Sequence, residues 1–152
     1  MEKFRSVVCK ILCLMIGSLP VVSGGVHFEN EFLFYRSIIA YSIVPTSLVF
    51  LVAFLITATH LVVGCCLLTQ HNVVAGSVVS LILFSIYGFA QVYAVYRGLE
   101  IDCGCYGPMR NETIGVASIL KVGCFATASG LLVYLSSRTP SMGSTRATKA
   151  IG

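Results

Sequence analysis

An all-α integral membrane protein is the fold this sequence predicts: a bundle of four spanning helices, with an interfacial segment on the outer face between helices one and two. Composition carries the first part of that reading. Of 152 residues, 57% are hydrophobic and only 11% charged, against roughly 25% charged in an ordinary soluble domain. Mean hydropathy is +0.91. A small globule keeps a large polar exterior and cannot hide that much apolar surface, so a soluble enzyme and a disordered regulator are both excluded. The ten Lys and Arg residues are dispersed in singles and pairs, with no patch to track a phosphate backbone, which excludes nucleic acid as a partner. The second observation is the spacing of long apolar stretches, and the third is the distribution of Lys and Arg between them.

Crossing the hydrocarbon core takes about 20 apolar residues, at about 1.5 Å of rise each. The first candidate, about residues 6–26, is apolar apart from Lys10 and contains Pro20. Its basic start (Lys3, Arg5, Lys10) and its Val22-Ser23-Gly24 end also fit a cleaved signal peptide. A retained helix is preferred because more spans follow at once. His27 to Pro45 contains FENEFLFYRSIIAYSIVP, too polar to span, and reads as an interfacial amphipathic helix. The second span, 46–69, has no charge and one histidine, His60. The third, 73–96, has no charge, and the short Gln70-His71-Asn72 connection makes it a hairpin with the second. The fourth, 114–137, contains a single charge, Lys121. Gly76 with Ser80 and Ala126 with Gly130 are small residues four apart, a spacing that lets helices approach closely in lipid. Residues 1–137 thus form one membrane domain. Residues 138–152 have no apolar period and read as a disordered tail.

Orientation follows from the positive residues. With the N-terminus inside, Lys3, Arg5, Lys10, Arg138, Arg146 and Lys149 lie inside, and Arg36, Arg97 and Arg110 outside. This predicts a multi-pass protein of the cytoplasmic membrane with both termini cytoplasmic and the loop between spans three and four outside.

That loop holds Asp102-Cys103-Gly104-Cys105-Tyr106-Gly107-Pro108. Outside the cell thiols meet an oxidising environment. Gly104 permits the backbone angles that bring two cysteines two apart into bonding range. So small a ring is strained, and strained exposed disulfides are the exchangeable kind. Asp102 disfavours a thiolate at Cys103, whereas Arg97, Arg110 and the start of span four favour one, so Cys105 is the preferred attacking thiol. Three chemistries stay open: an exchangeable redox pair, a static bridge, or a metal site in which His27 and Asp102 join the two sulfurs in a spacing that matches no standard zinc pattern.

Lys121 lies seven residues past Ile114, about 10 Å into the span. A charge there is expensive and often functional. Its neighbours Ala117, Ser118, Cys124 and Ala128 are small or weakly polar, which predicts an inward face that holds an anionic group, a quinone oxygen or a thiolate, against snorkelling to the headgroups as the alternative. His60 is a candidate intramembrane ligand or polar contact, and no second histidine is expected at its depth. Cys9, Cys13, Cys65 and Cys66 are expected in the inner half, as small buried hydrophobes or as an inner electron relay.

These residues resemble the MauE family of methylamine-utilisation proteins, within the wider DoxX-like group of small four-helix membrane proteins. The most specific match is Asp102-Cys103-Gly104-Cys105-Tyr106-Gly107. Tyr41 and Pro45 before span two, Gly64 near its end and the basic Lys121 also fit. His60 stands where many members carry glutamate, and Ser23-Gly24-Gly25 where many carry a lysine. The resemblance implies thiol–disulfide chemistry that supports maturation of an exported redox enzyme. Its partners would be a thioredoxin-like exported protein and a disulfide-containing enzyme subunit. A quinone within the bundle as electron acceptor is motivated by Lys121 and the fold alone. Two readings from other classes remain: a non-catalytic membrane scaffold with a structural Cys103–Cys105 bridge, and a metal-handling membrane protein.

Overall fold

The computed structural model describes residues 2–99 and 115–137. They form five helices: α1 (Glu2–Glu29), α2 (Glu31–Ala40), α3 (Thr46–Leu68), α4 (Val73–Tyr96) and α5 (Val116–Ser137). Four of them, α1, α3, α4 and α5, are long and apolar enough to cross a membrane, so the protein is a multi-pass helical membrane protein. The cysteine-bearing segment 100–114 and the tail 138–152 lie outside the described residues.

Local chemistry sets the helix ends. Asn30 breaks α1 from α2: its backbone N–H and side-chain amide both donate to Val26 O, at 3.0 and 3.2 Å, and its own carbonyl accepts from Leu33 and Phe34 to start α2. Pro45 keeps Val44 out of the helical region and begins α3 as its N-cap. Two ends close with the same pair of reversed hydrogen bonds. After α4, Gly98 (φ 66°) lets Leu99 N–H reach Ala94 O at 3.0 Å and its own N–H reach Val95 O at 3.0 Å. After α3, Gln70 takes the same left-handed conformation (φ 55°), with His71 N–H to Cys66 O at 3.0 Å.

The long helices pack through residues spaced alternately four and three apart. On α4 the row is Val73, Ser77, Ser80, Phe84, Tyr87, Gln91, Ala94, and on α5 it is Ser118, Val122, Phe125, Ser129, Leu132, Ser136, all buried or half-buried. On α3, Val49, Ala53, His60, Val63 and Leu67 keep the same period, as do Cys9, Cys13, Ile16 and Pro20 on α1. A seven-residue repeat gives the left-handed, nearly parallel packing common in membrane bundles. Pro20 is tolerated inside α1 because spanning helices re-satisfy the freed carbonyl locally.

The tightest pairings are antiparallel: α1 with α3, and α4 with α5. Glycines set the first. A Cβ on Gly64 would lie 2.5 Å from Val21 Cγ2 and 2.9 Å from Gly17 O, and one on Gly24 would lie 2.9 Å from Leu61 Cδ2. The expected spots of close approach are looser: a Cβ on Gly76 would meet Leu67 at 3.1 Å, and one on Gly130 only Leu81 at 4.0 Å. Cys9, Cys13, Ile16, Val63, Leu67, Val73 and Leu132 fill the core at the end that carries the α3–α4 turn.

Gly17 meets Gly64 and Leu67 while Gly24 meets His60 and Leu61, so α1 is slid toward the turn end. By that register Glu29 stops about nine residues, roughly 14 Å, short of the first turn of α3. The last turn of α1 is therefore inside the bundle. This corrects the expectation that the chain leaves the first span at about Val26, with His27 in the outer segment.

Candidate functional site

The sequence motif and the described geometry meet at one end of the bundle. The closing turn after α4 and the start of α5 lie opposite the 69–72 turn, and the segment that joins them carries Asp102, Cys103, Gly104, Cys105, Tyr106 and Gly107, all outside the described residues. At the threshold, Arg97 lies over the Tyr93 ring with its guanidinium carbon 5.6 Å from the centroid, and its Nη1–H donates to Tyr93 Oη at 3.3 Å. The cation is thereby held against the end of α4.

Lys121 is exposed, as are Ala117 and Cys124. The inward row of α5 runs through Ser118, Val122 and Phe125, and Lys121 falls one position off it. The expected inward face is thus an outward one for this lysine. Side chains lean toward the helix N-terminus, so its stem climbs toward Val116, about 7.5 Å away along the axis.

Directly below this end the bundle interior is polar. Ser118 Oγ–H donates to Gln91 Oε1 at 3.2 Å, a buried link between α5 and α4. One turn further in on the α4 row is Tyr87, whose ring lies 5.6 Å from that of His60. His60 is buried, and its ring lies 6.0 Å from His27 at 79°. His27 is only 3% exposed and stacks on Phe34 of α2 at 3.8 Å, with Nε2 3.0 Å from Ser23 Oγ. His60 therefore does have a second histidine at its depth. Three-residue and four-residue counting along each span hid this, because α1 is slid relative to α3. Asp102, Cys103 and Cys105, the companions of His27 in the expected metal set, lie outside the described residues. The signal available in the sequence was that Ser23, Gly24 and His27 share one helical face with the spacing that the buried row of α1 keeps.

Protonation follows from the hydrogen bonds. His60 Nδ1 sits 2.7 Å from Ile56 O, and a carbonyl can only accept, so Nδ1 carries the proton and Nε2 is an acceptor. Ring separations of 5.6–6.0 Å are direct aromatic contacts, which leave no slot for a further planar group between the rings. Among the described residues no three of His, Cys, Asp and Glu converge on a metal position. Cys9 and Cys13 are buried free thiols, Cys66 is half-buried, and Cys65 and Cys124 are exposed. Cys65 thus points away from the core that holds Cys9 and Cys13.

No curated protein and no solved structure matches the chain. The family described as methylamine utilisation protein MauE matches residues 5–135, nearly the whole of the helical region just described, and the chain belongs to that family.

Proposed function

We propose that this protein carries out thiol–disulfide exchange at the outer face of the cytoplasmic membrane, in support of the maturation of an exported redox enzyme. The observation that carries the reading is Cys103-Gly104-Cys105 between two spanning helices in a MauE-family chain. A partner thiolate attacks the Cys103–Cys105 disulfide. One S–S bond breaks, a mixed disulfide forms, and the released sulfur leaves as a thiolate. A second partner thiolate then attacks the mixed disulfide, so the partner gains a disulfide and the pair ends as a dithiol. Return of the dithiol to the disulfide releases two electrons and two protons, which a membrane quinone would accept. A thioredoxin-like exported protein is the immediate partner, and a disulfide-containing enzyme subunit the client. Arg97 and Lys121 stabilise the thiolate by charge, with Cys105 as the attacking sulfur in the reverse direction.

Trapping tests this directly. Cys103→Ser and Cys105→Ser, expressed separately, should each leave one sulfur able to hold an exported partner in an adduct that dithiothreitol releases. A protein that captures nothing with either variant and works without both sulfurs is a scaffold instead. A membrane-impermeant maleimide should label the pair in intact pre-reduced cells; labelling only after lysis reverses the orientation. Lys121→Met should slow reoxidation of the dithiol in membranes, and an unchanged rate removes Lys121 from the mechanism.

A further inference from the structure

The cysteine chemistry leaves the His27–His60–Tyr87 cluster unused, and the cluster sits at the one place where α1, α2, α3 and α4 all contribute a ring. Ionisable side chains buried inside a membrane bundle are rare and mark ion or proton sites when they occur. A large ligand is excluded by the packing, since His27 is already faced by Phe34 at 3.8 Å and the remaining rings touch one another. A divalent metal is disfavoured because, among the described residues, no carboxylate or thiolate joins the two imidazoles to offset its charge. What fits is a proton.

We propose that His27 and His60 form an intramembrane site that takes up one proton, shared by the two imidazoles, with the Tyr87 ring of α4 packed beside His60. The proposal is independent of the cysteine reading. His60 Nε2 is the acceptor, because its Nδ1–H is committed to Ile56 O at 2.7 Å. Ser23 Oγ at 3.0 Å steadies the His27 ring, and its stacking on Phe34 and edge contact with His60 offer aromatic faces to a cation. A second proton is opposed: unit charges about 6 Å apart at an effective dielectric near 20 repel enough to disfavour it roughly a hundredfold. Among the described residues, the elements packed around the pair bring no buried charge to change that count. Helices α3 and α4 contain no Asp, Glu, Lys or Arg; Glu29, Glu31 and Arg36 of α1 and α2 are exposed, and so is Lys121 of α5. From the cluster, Tyr87 and then the Gln91–Ser118 bond one turn on lead toward the end of the bundle from which residues 100–114 depart.

The test is an imidazole titration of the full chain in lipid nanodiscs with ¹⁵N-labelled histidine, followed by ¹⁵N chemical shift. Free ¹⁵N-imidazole added to the sample is the reference for one complete proton, and the signal of His71, exposed in the α3–α4 turn, is set aside by its loss in His71→Asn. At neutral pH His60 should show the Nδ1–H tautomer. On acidification the free imidazole should gain one full proton, and His27 and His60 should gain one between them, their shifts moving together. In His60→Gln, His27 should titrate alone with a complete single-proton curve. Two complete protons on the pair, no uptake while the free imidazole titrates, or an Nε2–H tautomer at His60 would each overturn the proposal on the wild-type protein, whether or not the variant folds.

Discussion

Gly64→Ala is the sharpest test of how the first helix pair is held. The added Cβ would stand 2.5 Å from Val21 Cγ2, 2.9 Å from Gly17 O and 3.0 Å from Val21 N. Valine in a helix has one strongly preferred rotamer, so Cγ2 cannot swing aside cheaply, and the other two atoms are backbone. The helices must separate, and overpacking of this kind costs about 1–3 kcal/mol. In lipid that loss is not recovered by hydrophobic burial elsewhere, because tails are as apolar as the side chains. Gly123→Ala supplies the comparison, since a Cβ there meets nothing within 4 Å and gains only helix propensity, up to about 1 kcal/mol. Equilibrium unfolding of both variants in the same detergent should place Gly64→Ala at least roughly 1–3 kcal/mol below Gly123→Ala. Adding Val21→Ala to Gly64→Ala should recover part of the loss and not all of it, because Gly17 O remains in place. A Gly64→Ala protein as stable as Gly123→Ala would refute the close α1–α3 contact and, with it, the register that brings His27 to His60.

Three further outcomes follow from named contacts. Ser118→Ala should cost about 0.6 and at most about 1.7 kcal/mol, the range for interhelical hydrogen bonds in membranes, and a double-mutant cycle with Gln91→Leu should show coupling of that size. Gly98→Ala should destabilise by about 1–2 kcal/mol through backbone strain, because φ is 66° and, among the described residues, no contact lies within 4 Å of the new Cβ; unchanged unfolding would mean the closing turn of α4 is not held in that conformation. Phe34→Ala should remove an aromatic stack on His27 worth about 0.5–1.5 kcal/mol beyond its buried area, seen as faster amide exchange in α2 with little change in α4.

The spans were legible in the sequence because lipid imposes a length and a composition that no other solvent does. Segments 46–69 and 73–96 fall within one residue of α3 and α4, and the polar run between the first two spans does contain a short helix. The inward faces were much harder to read. In a soluble bundle the buried stripe is the apolar one, but here both faces are apolar. The exposed side is the greasier, with Phe50, Leu51, Phe54, Ile82, Ile86 and Phe89 outward and Ser77, Ser80, Gln91, Ser118, Ser129 and Ser136 inward. Hydropathy therefore marks the lipid face, and the row to look for is the small and polar residues at alternating three and four. That row places Ser118 inward and Lys121 outward, against the reading that grouped them on one face. The cysteine motif was legible as a motif, since Cys-Gly-Cys between two spans is a local pattern.

The histidine pair was illegible for a different reason: it depends on axial register, which no property of a single helix contains. His27 lies two residues from the end of α1, and His60 lies eight from the end of α3. Counting depth from the ends of two antiparallel spans would place them far apart. What joins them is the glycine contact at Gly17, Gly24 and Gly64, which fixes how far α1 slides along α3. The Asn30 break then turns α2 back over the gap, so that Phe34 covers His27. The close packing and the polar cluster are thus one feature seen twice: bulk added at Gly64 should disturb the His27–His60 contact some 6 Å across as well as the stability of the pair. The same Gly64→Ala protein, titrated by imidazole ¹⁵N shift, should therefore lose the concerted behaviour of the two rings. Concerted titration that survives a measurably loosened α1–α3 pair would separate the two features and leave the register to some other contact.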